Sequence, residues 1–210
     1  MREFALTTIL RHPNIAQSYQ AHQDADFYYL SMRAYPGHDL LEHLNRHARF
    51  SEPRARTVFG QIADAVAYLH ANHVAHRDIK PENIVYDVST TRAVLIDFDQ
   101  AVFFVRDTPL TDFAGTTLYS PPEVLAQRPY DAPASDVWSL GVTLYVMTHA
   151  NHPWDHDDNA VLAQRIQSDN FPVPSHFSGA LTQLLTGMLT KDPAARWTLD
   201  DVCQSAWLAK

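Results

Sequence analysis

The chain has only one cysteine, six glycines and no long hydrophobic run in its 210 residues. A single cysteine, Cys203, excludes an internal disulfide and is compatible with a reducing compartment. The longest apolar-leaning stretch runs from Val137 to Met147 and is interrupted by polar residues. It is shorter than the roughly 20 residues that a membrane-spanning helix needs. We therefore expect an intracellular, cytoplasmic protein without membrane insertion.

Basic residues are also scarce. The formal net charge is -8, because 16 lysines and arginines stand against 24 aspartates and glutamates. This balance gives no support for a surface that binds nucleic acid or an anionic membrane, so we expect neither as a partner. Hydrophobic residues make up 46% of the chain and charged residues 19%, which are ordinary values for a globular protein.

The spacing of the apolar residues predicts an α+β fold whose second part is rich in helices. Short strands are predicted near residues 15–21, 27–33, 83–87 and 93–97. Helices are predicted at residues 2–11, after Ser51-Glu52-Pro53, and near 136–148, 158–168, 178–190 and 199–208. The aromatic run Phe27-Tyr28-Tyr29 is assigned to the core.

A charged segment, H-R-D-I-K-P-E-N, occupies residues 76–83, and D-F-D follows fourteen residues after its asparagine. Phosphoryl transfer needs positioning, metal ions and charge neutralisation from a protein. Asp78 offers an acid for a substrate hydroxyl, and Lys80 offers a cation for a phosphate. Asn83 and Asp97 offer an amide and a carboxylate to Mg²⁺. The two segments therefore predict a phosphotransfer site.

These motifs resemble those of the protein kinase family, serine/threonine class. The resemblance covers essentially the whole chain, because G-T with P-P-E, S-D-V-W-S-L-G-V and D-P with an arginine follow in the family's order. It implies a kinase-like two-lobe fold of the α+β class. The implied parts are a truncated small lobe with the hinge (1–35), a complete helical large lobe (36–210), a catalytic loop (76–83) and an activation segment (97–123).

The resemblance also implies roles for the site residues. Asp78 and Lys80 would be catalytic, Asp78 orienting the substrate hydroxyl and Lys80 contacting the transferred phosphate. Asn83 and Asp97 would be the metal ligands for Mg²⁺, and ATP would be the nucleotide. Met32 would be the gatekeeper, residues 33–35 the hinge that holds adenine, and Asp39 a ribose contact. The residues implied to bind the nucleotide are Met32, Arg33, Ala34, Tyr35, Asp39, Lys80, Asn83 and Asp97.

Other residues are implied to hold the site in place. Asp136 would fix the backbone of the catalytic loop, and Arg196 would pair with Glu123. Thr116 would form hydrogen bonds near Asp78 and Lys80. Asp112 stands where many family members carry a phosphorylated threonine, and we expect its carboxylate to pair with Arg77 in place of a phosphate.

The sequence departs from the family's pattern at two places. No glycine-rich loop and no strand lysine precede Glu3, which the family's spacing makes that lysine's partner. We expect a fragment, a mispredicted gene start or a protein that works without this half of the cleft, and Glu3 is either a site residue or a solvated helix residue. Asp99 replaces the glycine of D-F-G, which permits backbone torsions that other residues resist.

The residues favour transfer of the ATP γ-phosphoryl group to serine or threonine hydroxyls of a protein substrate. The alternative is a pseudokinase, a module that docks partners with little or no catalysis. A regulatory protein partner is left open. The loop from His149 to Asp158 is rich in histidine and aspartate, but its spacing fits no tight helical ligand pair, so we interpret it as a polar loop.

Overall fold

The computed structural model describes residues 2–209. In this part of the chain the helices are α1 (Arg2–Ile9), α2 (Leu40–His47), α3 (Glu52–Ala71), α4 (Pro122–Leu125), α5 (Ala132–His149), α6 (Asn159–Ser168), α7 (Gly179–Met188) and α8 (Leu199–Cys203). The strands are β1 (Ser18–Gln23), β2 (Tyr28–Met32), β3 (His38–Asp39), β4 (Val74–Ala75), β5 (Ile84–Asp87), β6 (Arg92–Leu95) and β7 (Val102–Phe103).

A small sheet lobe is formed by α1 and the antiparallel hairpin β1–β2. Leu6 on α1 and Leu10, directly after the helix, are buried, and the Thr7 hydroxyl on α1 donates to the Ser18 hydroxyl of β1 at 2.6 Å. This hydrogen bond satisfies two polar groups that would otherwise be buried without partners. The helix and the hairpin are therefore joined by a polar contact as well as by apolar packing.

The small lobe is tied to the helical lobe through Asn14. Its side-chain nitrogen Nδ2 donates to Gln61 Oε1 on α3 at 2.9 Å and to the carbonyl oxygen of Ala93 on β6 at 2.7 Å. The Gln61 side chain also accepts from the amide of Ala93 at 2.9 Å. Because these groups are largely shielded from water, the network fixes the segment before β1 against the helical lobe.

The assignment of Phe27, Tyr28 and Tyr29 to the core was wrong, since their exposed fractions are 64%, 65% and 49%. Successive strand residues point to opposite faces of a sheet, and a two-stranded hairpin needs further layers to bury both faces. In the described residues the Tyr29 hydroxyl instead donates to Asp24 at 2.7 Å, which braces the turn of the hairpin.

The helical lobe is built around α5, which is buried on nearly all sides. It packs against α3, α7 and α8. Gly141 permits this, because a methyl group at that position would lie 2.9 Å from Leu189 and 3.0 Å from Met188. The Trp138 ring on the same helix stacks on Trp154 with their centroids 5.5 Å apart. A helix with apolar residues on every face is typical of a buried position.

The predicted α+β fold class is confirmed by this small sheet lobe and helical lobe. The predicted strands and helices are found close to their expected places, with one clear difference at the carboxyl end. The helix predicted over residues 199–208 ends at Cys203, and a turn follows in which the amide of Leu208 donates to the carbonyl oxygen of Ser205 at 3.1 Å. No helix among residues 2–209 has the length and apolar character to cross a membrane.

Candidate active site

The charged segment of residues 76–83 is held by Asp136, a fully buried carboxylate on α5. The amide of His76 donates to Asp136 Oδ2 at 2.9 Å, and the amide of Arg77 donates to Oδ1 at 2.7 Å. Arg77 has a left-handed backbone with φ of 66°, which is strained for a residue with a side chain. The two hydrogen bonds compensate for this strain, so Asp136 fixes the loop as predicted.

Asp78 lies at the centre of a compact polar cluster. The Lys80 ammonium donates to Asp78 Oδ2 at 2.8 Å, and the Thr116 hydroxyl donates to Oδ1 at 2.8 Å. The Lys80 ammonium also donates to the Thr116 hydroxyl at 2.7 Å. Asn83 Nδ2 donates to the Asp78 backbone oxygen at 2.8 Å and to its carboxylate at 3.0 Å. The structure thus brings together three predicted site residues with the predicted neighbour Thr116.

The charge of Asp78 is set by these contacts. Burial by itself would raise the pKa of this carboxyl, but the hydrogen bonds from Lys80 and Thr116 outweigh burial and lower the pKa below its ordinary value. Asp78 is therefore a carboxylate at neutral pH. The carboxylate accepts from three donors, Lys80, Thr116 and Asn83, and its two oxygens have about four acceptor sites, so it can accept a further hydrogen bond from a hydroxyl.

Asp97 stands beside Asn83 because the amide of Ile96 donates to the Asn83 carbonyl oxygen at 2.9 Å. Since Asn83 Nδ2 is engaged by Asp78, its Oδ1 is the atom left for a cation. An amide oxygen and a carboxylate are hard ligands of the kind that Mg²⁺ prefers, and Mg²⁺ usually takes its remaining ligands from water and phosphate. The described residues hold no group of three or more metal-binding side chains. The pair therefore fits Mg²⁺ held together with a nucleotide.

The left-handed backbone of the D-F-D segment falls on Asp97, with φ of 61°. Asp99, which replaces the family's glycine, is not among the described residues with positive φ. Its amide donates to Asp97 Oδ1 at 3.3 Å, and its carboxylate accepts from the Gln100 side chain at 3.1 Å. The substitution therefore causes no left-handed strain at position 99.

Glu3 lies beside the D-F-D segment and is only partly exposed to solvent. Its carboxylate is half-buried and accepts a long hydrogen bond of 3.4 Å from the amide of Phe98. Burial raises the pKa of Glu3, and the nearby carboxylates of Asp97 and Asp99 raise it further. The negative charges of Asp97 and Asp99 are therefore close enough to Glu3 to disfavour its ionised form.

The residues predicted to hold adenine and ribose lie on a separate segment. Met32 ends β2 with an exposed fraction of 42%, and the amide of Arg33 donates to the carbonyl oxygen of Gln17 at 2.9 Å. The Tyr35 hydroxyl accepts from the amide of Gln17 at 2.9 Å. Asp39 begins α2 by accepting from the amide of Glu42 at 2.8 Å. The nucleotide contacts of Met32, Arg33, Ala34, Tyr35 and Asp39 stay predictions.

Residues 97–123, the predicted activation segment, are attached to residues 76–83 through Arg77, and the predicted pair with Asp112 is present. Its guanidinium donates to Asp112 Oδ2 at 2.7 Å and to the carbonyl oxygen of Gln100 at 2.7 Å. It also donates to the Tyr130 hydroxyl at 3.2 Å, and that hydroxyl donates to the Asp112 backbone oxygen at 3.2 Å. Gln100 and Tyr130 were missed by the sequence reasoning, since neither stands in a recognisable motif.

The predicted pair of Arg196 and Glu123 is also present. Arg196 Nη1 donates to Glu123 Oε1 at 2.7 Å and Nη2 donates to Oε2 at 3.0 Å, so the pair is bidentate. The guanidinium lies over the Trp138 ring at 5.1 Å from its centroid. Two-point pairing of this kind is strong and directional, and it anchors the end of the activation segment to the helical lobe.

The comparison with known protein families identifies the same class of protein as the site geometry. The family model for the protein kinase domain matches residues 1–208. The chain belongs to the protein kinase family, whose members generally use ATP and Mg²⁺.

Several curated relatives are similar over nearly the whole chain. Protein kinase kin1 of Schizosaccharomyces pombe is 35% identical over 211 residues, covering 100% of this chain and 24% of that protein. Serine/threonine-protein kinase SIK1 of Mus musculus is 36% identical over 207 residues, covering 99% and 26%. The probable serine/threonine-protein kinase MARK-A of Dictyostelium discoideum is 33% identical over 208 residues, covering 99% and 20%. The chain thus spans about a quarter of the length of these three relatives.

Proposed function

We propose that this chain transfers the γ-phosphoryl group of ATP to serine or threonine hydroxyls of a protein substrate. The observation that supports this most is the anionic Asp78, held between Lys80 and Thr116 with Asn83 beneath it. The serine/threonine kinases among its relatives support the choice of acceptor. The proposal concerns the activity of this 210-residue chain. The activity and substrates of any larger protein that contains it are likewise proposals.

In this proposal Asp78 accepts a hydrogen bond from the acceptor hydroxyl and aims its oxygen at the γ-phosphorus. The new bond joins the hydroxyl oxygen to phosphorus as the bond to the β-phosphate oxygen breaks, and ADP leaves. The hydroxyl proton passes to the Asp78 carboxylate. Lys80, at 2.8 Å from Asp78, neutralises charge on the transferred group. Positioning and electrostatic stabilisation of this kind account for most of the catalysis in phosphoryl transfer.

Asn83 and Asp97 would hold Mg²⁺ through oxygen atoms, and bound Mg²⁺ would neutralise the phosphates. Glu3 stabilises the same end of the site by accepting from the amide of Phe98. Its raised pKa reflects burial and the neighbouring carboxylates, so a cation near Asp97 and Asp99 would lower it again.

A second candidate is a docking module with little or no catalysis. The observation that favours it concerns Glu3, whose raised pKa has burial and the charges of Asp97 and Asp99 among its main causes, and no lysine. A cation beside the phosphates supplies transition-state stabilisation that is commonly several kcal/mol. Loss of that contribution would slow transfer without preventing the helical lobe from binding a partner.

The deciding experiment measures ATP binding by calorimetry and phosphate transfer to a serine-containing protein, with and without Mg²⁺. Wild type should bind ATP in a Mg²⁺-dependent manner and transfer phosphate. Asp78→Asn should keep binding and lose transfer by roughly 10²- to 10⁴-fold, whereas Asp97→Asn should lose the Mg²⁺-dependent part of binding. The absence of Mg²⁺-dependent binding in wild type would refute the enzymatic proposal, and binding without transfer would favour the docking module.

A further inference from the structure

The loop before α7 meets the ends of α2 and α5 at a small group of basic side chains. Nη1 of Arg49 lies 2.8 Å from Nε2 of His176, and the same ring nitrogen lies 3.1 Å from the backbone oxygen of Thr148. The ring of His149, at the end of α5, stacks on the His176 ring with centroids 5.6 Å apart. Basic side chains from three separate segments of the chain therefore meet at one place.

The two contacts of His176 Nε2 require opposite states of that nitrogen. A guanidinium can only donate, so the contact with Arg49 requires an Nε2 without a proton. A carbonyl oxygen can only accept, so the contact with Thr148 requires a proton on Nε2. One of the two contacts is therefore unsatisfied in either state of the ring. Protonation of His176 also places two cations side by side, which is unfavourable.

Within residues 2–209, no acidic side chain forms an ion pair with these three basic residues. The Glu52 carboxylate reaches the same loop, but its two oxygens accept from the amide and the hydroxyl of Ser178 at 2.7 and 2.8 Å. Burial lowers the pKa of His149, and the charges of His176 and Arg49 lower it further. The charged groups that face His176 are thus basic ones, Arg49 and His149.

The surface around Arg49 is basic although the whole chain is acidic. Residues 46–56 contain four arginines and one acidic residue, whereas the chain has a net charge of -8. Residues 45–49 are all exposed. Because the Debye length at physiological salt is about 8 Å, an approaching anion responds to this local surface and not to the charge of the whole chain. A short acidic protein segment fits such a patch better than nucleic acid or a membrane, whose long arrays of phosphates would also meet the acidic remainder of the surface.

We propose that Arg49 and His176 form a docking site for a carboxylate of an acidic segment of a partner protein. A carboxylate beside the guanidinium accepts the hydrogens that Arg49 otherwise directs at His176, and two-point pairing of this kind is strong. His176 can then take up a proton and donate from Nε2 to the Thr148 oxygen, at the negative end of the α5 dipole. Docking is therefore coupled to protonation of His176, and the segment should bind more tightly as pH falls. The site does not depend on the proposed kinase function.

The test uses two fluorescent peptides that differ only at three consecutive residues, glutamate in one peptide and glutamine in the other. Neither contains serine, threonine or tyrosine, so neither can accept a phosphate. Binding to the whole chain is followed by fluorescence anisotropy at constant ionic strength between about pH 5.5 and 7.5, where the glutamates stay ionised. Wild type should prefer the glutamate peptide and should bind it about fivefold more tightly at the acidic end than at the neutral end. Equal binding of the two peptides by wild type would overturn the proposal.

Two variants assign the effect to the pair. Arg49→Gln should weaken binding of the glutamate peptide by about fivefold, the upper range for an exposed ion pair, whereas Arg165→Gln, at an exposed arginine of α6, is the matched control and should not. The side chain of His176→Gln has both an acceptor and a donor, so it can satisfy Arg49 and Thr148 together without titrating and should remove the pH dependence. Equal binding by Arg49→Gln and Arg165→Gln would overturn the proposal, as would a His176→Gln profile that matches wild type.

Calorimetry in buffers of different ionisation enthalpy measures the coupling directly. Wild type should take up protons when the glutamate peptide binds at about pH 6.5, where histidine ordinarily titrates, and His176→Gln should take up fewer. Equal proton uptake would overturn the coupling. Inorganic phosphate is the third probe and should compete poorly with the peptide. Displacement by phosphate at the peptide's own concentration would indicate a general anion site and overturn the assignment to a protein segment.

Discussion

The guanidinium of Arg77 donates to the carboxylate of Asp112 at 2.7 Å, and this pair joins the segment of residues 76–83 to the predicted activation segment. Arg77 is nearly buried, with 4% of its side chain exposed, whereas Asp112 is 62% exposed. The same guanidinium donates to the carbonyl oxygen of Gln100, so it contacts the segment at two places. Because a side-chain carboxylate already occupies this position, we expect the segment to be ordered without an added phosphate.

Replacement of Asp112 by alanine tests this expectation. Asp112→Ala should release the middle of the segment and speed its cleavage in limited proteolysis. The global free energy of unfolding should change by only about 1 kcal/mol, since water screens the exposed carboxylate. Thr111→Ala, a change at the exposed neighbour, is the matched control. If Asp112→Ala is cleaved as slowly as Thr111→Ala, the pair does not order the segment.

The close contact between Gly187 and Trp197 gives a packing prediction. A methyl group at Gly187 would lie 2.2 Å from the Trp197 ring, whereas nothing lies within 4 Å of one added at Gly179 on the same helix. Alanine favours a helix over glycine by about 1 kcal/mol, so propensity alone would predict stabilisation by Gly187→Ala. We expect the steric clash to outweigh helix propensity, so that Gly187→Ala lowers the free energy of unfolding, measured in urea, by about 1–3 kcal/mol.

Gly179→Ala is the control for this prediction and should be neutral or slightly stabilising. Trp197→Ala opens the space beside Gly187, so Gly187→Ala should cost much less in that background. An equal cost in both backgrounds would mean that the ring is not the cause.

The bidentate pair of Arg196 and Glu123 should be sensitive to loss of one partner. Glu123→Gln leaves the buried guanidinium without a counter-charge, and we expect it to lower the free energy of unfolding by about 3–5 kcal/mol. The double variant Glu123→Leu with Arg196→Met removes both charges and should lose less than the sum of its single variants. Additive losses in this double-mutant cycle would show that the two side chains do not interact.

His76 should make stability depend on pH. Its ring is fully buried, its Nε2 lies 3.1 Å from the carbonyl oxygen of Ile96, and its Nδ1 accepts from the amide of Asp78 at 3.3 Å. Burial lowers the pKa of His76, despite the opposing charge of Asp136. The folded state therefore holds this ring neutral while the unfolded chain protonates near pH 6.5. Its contribution to stability is present above that pH and is lost as pH falls toward the lower, folded-state pKa.

The measurement is urea unfolding of wild type and His76→Gln between pH 5 and 7.5. Each such histidine adds a slope of at most about 1.4 kcal/mol per pH unit in this range. We expect a shallower slope for His76→Gln than for wild type. Parallel slopes would indicate that other histidines, and not His76, carry the dependence.

Much of the fold and of the site could be predicted because the information is local in the sequence. The residue types of segment 76–83 by themselves predict a phosphotransfer site. The resemblance to the kinase family then predicted the contacts of Asp136, Glu123 and Arg196 correctly. The charge pair of Arg77 and Asp112 followed from the position of one aspartate in the activation segment. Asp136 contacts His76 across 60 residues and Arg196 contacts Glu123 across 73, so these contacts were predictable because each residue stands in a recognisable motif.

Other contacts involve residues that stand in no recognisable motif. Tyr130 contacts Arg77 across 53 residues, and His152 contacts Tyr119 across 33 residues. Neither contact could be predicted from periodicity or motif spacing. The aromatic run of the hairpin was assigned to the core because strand patterns show which residues alternate and not whether both faces are covered. The end of α8 was missed for a related reason, since polar residues after Cys203 can continue a helix or close it.

The distribution of aromatic residues has an optical consequence. All four tryptophans, Trp138, Trp154, Trp197 and Trp207, belong to the helical lobe, whereas the hairpin at residues 18–32 carries only tyrosine and phenylalanine. Tryptophan fluorescence therefore reports on unfolding of the helical lobe and not of the hairpin, whereas far-ultraviolet circular dichroism reports on the secondary structure of both. Unfolding curves from the two signals will coincide only if the small lobe and the helical lobe melt in a single cooperative step.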